Sequence, residues 1–153
     1  MIQPFQKKMI ASMPKAENHI HIEGSIPLYL ALELAEKNHV KLPCDTAQGL
    51  RQWIKDTKGT YGLNGFMYCN RKINSVCIHE EDYEAVVMEL AKQAKVQNII
   101  YQELFLDYPL NEERGIPIEV VMDGYITAKK RAIDEMGVEL VYIAGLDRTL
   151  PSE

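Results

Sequence analysis

The chain predicts an α/β fold with parallel strands, and three observations carry that expectation. Ile99 to Leu106 is a near-continuous apolar run of strand length, as expected for a strand covered on both faces of a parallel sheet. Glu80 to Gln97 places Tyr83, Val86, Val87, Leu90, Ala91 and Ala94 in one unbroken helical stripe. The order along the chain is strand, helices, strand, helix, strand, the βαβαβ pattern of a parallel sheet.

Each element follows from local signals. Residues 1–13 read as a leading segment or short helix before the first strand. Pro14 to Ser25 holds that strand, with Ser25 placed to cap a following helix whose first turn contains Pro27. Leu28, Ala31, Leu32 and Ala35 continue it as an apolar stripe, and Asn38 ends it. Residues 41–79 are less regular. Leu42-Pro43 is extended, Thr46 to Lys55 forms a short helix, and Phe66 to Asn74 forms another, with Gly59, Gly62 and Gly65 breaking the pattern between them. In the helix from Glu80, the acids Glu80, Glu81 and Asp82 meet the positive end of the dipole, and Lys92 and Lys95 the negative end. Pro117 opens a further helix to Met136, closed by Gly137, and Val138 to Ala144 is the third strand.

Composition excludes several classes of function. The 153 residues carry 46% hydrophobic and 25% charged side chains and a formal net charge of −5, with no Lys/Arg cluster to neutralise phosphates, so no nucleic-acid partner is expected. No apolar run approaches the ~20 residues of a membrane span, and the first residues lack the apolar core of a signal peptide, so the expectation is a cytoplasmic protein with no membrane contact. Cys44, Cys69 and Cys77 are odd in number and form no Cys-x-x-Cys pair, which reads as reduced, structural cysteines. A Gly-x-x-x-x-Gly-Lys phosphate loop and a Gly-x-Ser-x-Gly turn are both missing. A single domain over 1–153 is the default at this length.

The chemistry concentrates in Pro14-Lys15-Ala16-Glu17-Asn18-His19-Ile20-His21-Ile22-Glu23-Gly24-Ser25. In an extended segment Glu17, His19, His21 and Glu23 share one face and Ala16, Asn18, Ile20 and Ile22 the other. Two imidazoles two residues apart can converge on one divalent metal; the alternative is a pair of hydrogen-bonded strand histidines. His39 follows a helix end and His79 precedes a helix start, so both read as loop or cap residues.

This segment resembles the first-strand signature of the adenosine deaminase family of metal-dependent amidohydrolases, and Tyr101-Gln102-Glu103-Leu104-Phe105-Leu106-Asp107 resembles that family's second strand. The resemblance implies a (β/α)8 TIM barrel of which this chain holds the first three strands, with a helical insertion after the first, since a whole barrel needs roughly 250 residues. It implies that His19 and His21 are zinc ligands and that the catalytic residues lie beyond residue 153. It also implies a purine nucleoside pocket lined by His21, Glu23, Gly24, Leu63 and Phe66, with Glu23 at the ribose. The implied reaction is adenosine and water to inosine and ammonia, with an adenine or AMP deaminase, another amidohydrolase, or a non-catalytic interaction module as alternatives. The 153 residues alone are expected to be inactive.

Some residues keep two readings. Glu23 could instead be a strand-end carboxylate bonded to loop backbone, Gly24 a plain loop glycine, and Leu63 and Phe66 ordinary helix packing. Glu17 reads as an interior carboxylate behind the histidines, Glu103 as a structural salt-bridge partner, and Asp107 is left open. Asn70 stands where some members of the family carry an aromatic residue. An open sheet with Ile99, Ile100, Leu104, Leu106, Val141 and Ile143 predicts a homo-oligomer that covers it.

Overall fold

Three strands pair in parallel, side by side in chain order, in the computed structural model, which describes residues 3–145. They are β1 (Lys15–His21), β2 (Ile99–Leu106) and β3 (Glu139–Ala144). Met1, Ile2 and residues 146–153, which belong to the leading segment and to the single domain expected over 1–153, lie outside the described residues. Among the described residues there are six α-helices: α1 (Pro4–Ser12) ahead of β1, then α2 (Leu28–Lys37), α3 (Ala47–Asn74) and α4 (Glu80–Val96) between β1 and β2, and α5 (Pro109–Glu112) and α6 (Ile118–Arg131) between β2 and β3. No helix among the described residues is long and apolar enough to cross a membrane.

Strand alternation divides the sheet. Gln102, Leu104 and Leu106 of β2 and Leu140 of β3 are buried against the helices, while Tyr101, Glu103 and Phe105 face the uncovered side. The α4 stripe read from the sequence is buried as predicted, together with Val121, Tyr125 and Ala128 of α6. Gly124 lets α6 approach α4 closely, because a methyl group there would collide with the carbonyl oxygen of Glu80. Ile99, Leu104 and Leu106, expected to offer apolar surface to a second copy, are spent in this core instead; of the set only Ile100 is exposed.

Other boundaries also differ from expectation. Helix α2 begins at Leu28 with Pro27 as its N-cap, so Ser25 caps nothing and lies in the turn closed by its amide to Ile22 O. The stretch read as two short helices is one longer helical hairpin. Only Gly62 leaves helical geometry (φ 56°, ψ −129°), a conformation that an L side chain would strain. Gly65 stays helical and lets the second limb cross the first, where a methyl group would strike Thr57 O. After α6 the chain widens into a π-helical turn at Ala132–Met136, and Gly137 closes it in the left-handed region (φ 71°).

A polar network secures the junctions. Asp82, fully buried, accepts from Lys37 Nζ and Asn38 Nδ2, each at 2.6 Å, and from the amides of Ile78 and His79 at 2.9 Å. Burial alone would raise its pKa; the hydrogen bonds outweigh it and hold the carboxyl below its ordinary value. Arg114 donates to the carbonyls of Asn74, Ser75 and Cys77, the orphan acceptors at the end of α3.

The cysteines form no disulfide. Burial, reinforced by the charge of Asp82, pushes the Cys77 thiol up to about 12, and burial raises that of Cys69. Half-buried Cys44 is therefore the one thiol expected to react quickly with a disulfide reagent in the native protein. Denaturation should release all three, and Cys44→Ser should remove the fast phase. A fast phase surviving that substitution would contradict the burial of the other two.

Candidate functional site

The site forms where the C-terminal ends of the strands meet, and a β-bulge shapes it. β1 pairs Glu17 with Gln102 but Ile20 with Leu104, so three residues on β1 span two on β2, and His19 sits in the left-handed region (φ 64°). The extra residue inverts the alternation below it. Glu17 therefore shares the helix-side face with Gln102, whose Nε2 donates to its Oε2 at 2.9 Å, and does not stand behind the histidines as expected.

Above the bulge the alternation holds. The rings of His19 and His21 lie 5.3 Å apart, and both pack on Phe105, His19 at 4.6 Å and His21 stacked at 5.3 Å. Phe105 is thus the platform under both imidazoles, a residue the sequence reading passed over although its odd position on β2 marks the same face. His21 Nδ1 lies 2.7 Å from Asp107 Oδ2, which gives Asp107 its partner. Glu103 takes a hydrogen bond from Tyr101 Oη at 3.1 Å in place of the expected salt bridge.

Glu23 points inward. It is 2% exposed, and its Oε1 accepts from the Asp107 amide at 3.1 Å and from Tyr125 Oη at 3.4 Å. Burial pushes its carboxyl up to about 7; the charge of Asp107 adds to this, and hydrogen bonds from its own amide, Asp107 and Tyr125 oppose it.

A cavity of about 1070 Å³ wraps the edge of β1 that has no strand partner among the described residues. Its open side is lined by His19, His21, Gly24, Phe66, Asn70 and Asp107. A methyl group at Gly24 would meet Asn70 Nδ2 at 3.2 Å, a tight contact with a side chain that lines the same cavity. Phe66 reaches the cavity, with Lys58 Nζ 5.3 Å from its ring centre. Leu63 does not. It is 73% exposed on the first turn after the Gly62 break, outside the cavity lining. His39 and His79 lie apart from the cavity, His79 as the N-cap of α4. Among the described residues no three of His, Cys, Asp and Glu stand close enough to hold a metal between them.

The arrangement of two convergent imidazoles at strand ends can now be set beside known proteins. The family model described as adenosine deaminase matches residues 14–153. The chain belongs to the adenosine deaminase family. Among curated members, the adenine deaminase of Zymomonas mobilis is 35% identical over 149 residues, covering 95% of this chain and 42% of that protein. The adenine deaminase of Gibberella zeae is 32% identical over 143 residues, covering 93% and 40%. The chain thus spans about two fifths of the length of the curated relatives it matches. The structure of adenine deaminase from Arthrobacter aurescens superposes with a TM-score of 0.78 at 27% identity, over 86% of this chain and 39% of that one. An amidohydrolase from Burkholderia ambifaria, solved with bound Zn, superposes equally well (TM-score 0.78) over 98% of this chain and 40% of that one, a likeness of fold at 17% identity. The open sheet of three parallel strands is accordingly a partial (β/α)8 barrel of this deaminase family.

Proposed function

We propose that this chain forms part of the active face of a zinc-dependent hydrolase that deaminates an aminopurine, with adenine preferred over adenosine. The observation that carries this reading is the pair of imidazoles, 5.3 Å apart at a barrel-strand end, in a chain of this family. The donor set fits a borderline-soft divalent ion: two imidazole rings lie side by side, and one of them is already braced by a carboxylate at Nδ1. His19 and His21 would hold the metal, and zinc bound there supplies a water acidified toward neutral pH. The chain's own part is to bind and orient. Phe66 offers an apolar ring to a planar base, and Gly24 keeps the floor beside Asn70 open.

One observation favours the free base over the nucleoside expected from the first-strand motif: the relatives at 32–35% identity are named adenine deaminases. Glu23, the carboxylate implied for the ribose, lines the cavity while nearly fully buried, with Oε1 held by Asp107 and Tyr125 and Oε2 without a partner among the described residues.

Ammonia release from adenine, adenosine and AMP tests the reading. The zinc-loaded chain alone is expected to give none, because a third ligand and a general acid–base do not assemble among the described residues. Fused to the part of the Zymomonas mobilis protein that it does not cover, it should deaminate adenine at least about tenfold faster than adenosine (a difference of about 1.4 kcal/mol in barrier), and His21→Ala should abolish the activity. A preference for adenosine would overturn the substrate assignment, and turnover by the chain alone would overturn the incomplete site.

A further inference from the structure

The contact between Asp107 and His21 has a direction that chemistry dictates. Asp107 follows β2, and its Oδ2 lies 2.7 Å from His21 Nδ1 at the end of β1. An ionised carboxylate only accepts hydrogen bonds, so Nδ1 carries a proton, and in the neutral ring Nε2 is then the nitrogen with the lone pair. We infer that Asp107 is a positioning residue that holds His21 in the Nδ1–H tautomer and so presents Nε2 to a divalent cation. The cation in this statement rests on the reading of His19 and His21 as metal ligands; the tautomer does not.

Three features make Asp107 suited to that task. Its amide is tied to the buried Glu23 Oε1 at 3.1 Å, and Glu23 is tied in turn to Tyr125 of α6, so the backbone that carries the carboxylate is anchored in the core. Gly145, just after β3, leaves the carboxylate its space: a methyl group there would come within 2.9 Å of Asp107 Oδ1. Phe105 stacks on the His21 ring at 21° between planes, which fixes the plane in which Nδ1 meets the carboxylate. Residues at the ends of all three strands therefore converge on the orientation of one imidazole. Such a partner raises the basicity of a ligating histidine and fixes its ring, and its loss typically costs 10–100-fold in metal affinity.

Two measurements on the full chain test this. The first is the nitrogen NMR of the His21 ring without metal, and the second is zinc titration in competition with a chromophoric chelator. The wild-type ring should report Nδ1–H. Asp107→Ala should move it toward Nε2–H and weaken zinc binding about tenfold or more. Asp107→Asn brings an N–H donor to Nδ1 and removes the charge, so it should shift the ring toward Nε2–H and weaken zinc binding as Asp107→Ala does, whereas Asp107→Glu keeps an acceptor-only carboxylate and should retain part of both. Gly145→Ala, which crowds the carboxylate without removing it, should fall between, and it decides the matter if the Asp107→Ala protein fails to fold. An unchanged tautomer in Asp107→Ala, or zinc affinity within twofold of wild type, overturns the assignment. Should the wild type take up no zinc while the tautomer still depends on Asp107, the metal reading fails and the positioning role stands.

Discussion

Asp82→Ala is expected to lower folding stability by about 3 kcal/mol, measured by urea unfolding at neutral pH. The side chain is fully buried and accepts four hydrogen bonds, two from backbone amides at the start of α4 and two from the end of α2. Removing it leaves the amides of Ile78 and His79 without their acceptor and takes one of two acceptors from the Asn38 carboxamide, which keeps Val76 O at 2.7 Å; a buried orphan costs about 1–3 kcal/mol. Lys37 is half exposed and can turn to water, which keeps the total near the lower end of values for buried ion pairs. The pH dependence has a definite sign. The folded-state pKa lies below the ordinary value of 3.8, so the contribution is complete above that pH and is lost as pH falls through the folded value. Wild type and Asp82→Ala should therefore converge in stability under strong acid. A gap below about 1 kcal/mol at neutral pH would mean that the helix ends hold together without this carboxylate.

Leu104→Ala should be of similar size, about 3–4 kcal/mol, for a different reason. Leu104 is fully buried in the central strand, paired with Ile20 on one side and Tyr142 on the other, and faces the helix layer. It lies between two neighbouring strands and under α4, so the space left by the lost methyl and methylene groups cannot collapse without moving the sheet. Leu104→Met, which nearly conserves volume, should cost less than about 1.5 kcal/mol. Chemical unfolding of both variants separates lost volume from lost shape. Equal losses would mean that shape alone decides at this position and would contradict the cavity account.

Those two residues also show what could be read from the chain. Leu104 sits in an apolar run of strand length, and the α4 stripe is written in its period, so the βαβαβ frame followed from local pattern; that only one face of the run is fully buried did not. Asp82 was read as a favourable charge at a helix start; its bonds to Lys37 and Asn38 depend on where α2 ends in space, which no local signal encodes. The glycines of α3 are alike as letters but unlike in role. Gly62 is chosen for its backbone angle, while Gly65 is chosen for lack of bulk against Thr57. At the site, the spacing of His19 and His21 revealed their common face. Asp107 and Phe105 became legible only through the register of β1 on β2, because their partners lie more than 80 residues away. Leu63 was misplaced since the angle at Gly62 rotates the second limb and turns that position outward.

The bulge in β1 divides one strand into two lengths that answer to different neighbours. Lys15 moors the lower length, its ammonium on the carbonyls of Met13 (2.8 Å) and Gln97 (2.7 Å). The upper length, from Ile20, is moored by its pairing with Leu104 and Phe105 and by the Ile22 amide on Phe105 O at 3.2 Å. The register slips twice between the moorings and in opposite senses: β2 holds an extra residue opposite Lys15–Ala16 and β1 holds one at Asn18–His19, so the two strands come back into step at Ile20 and Leu104. Deleting Asn18 would leave β1 one residue short between its moorings, so that the base of the strand, where no chemistry occurs, would begin to steer the residues where it does.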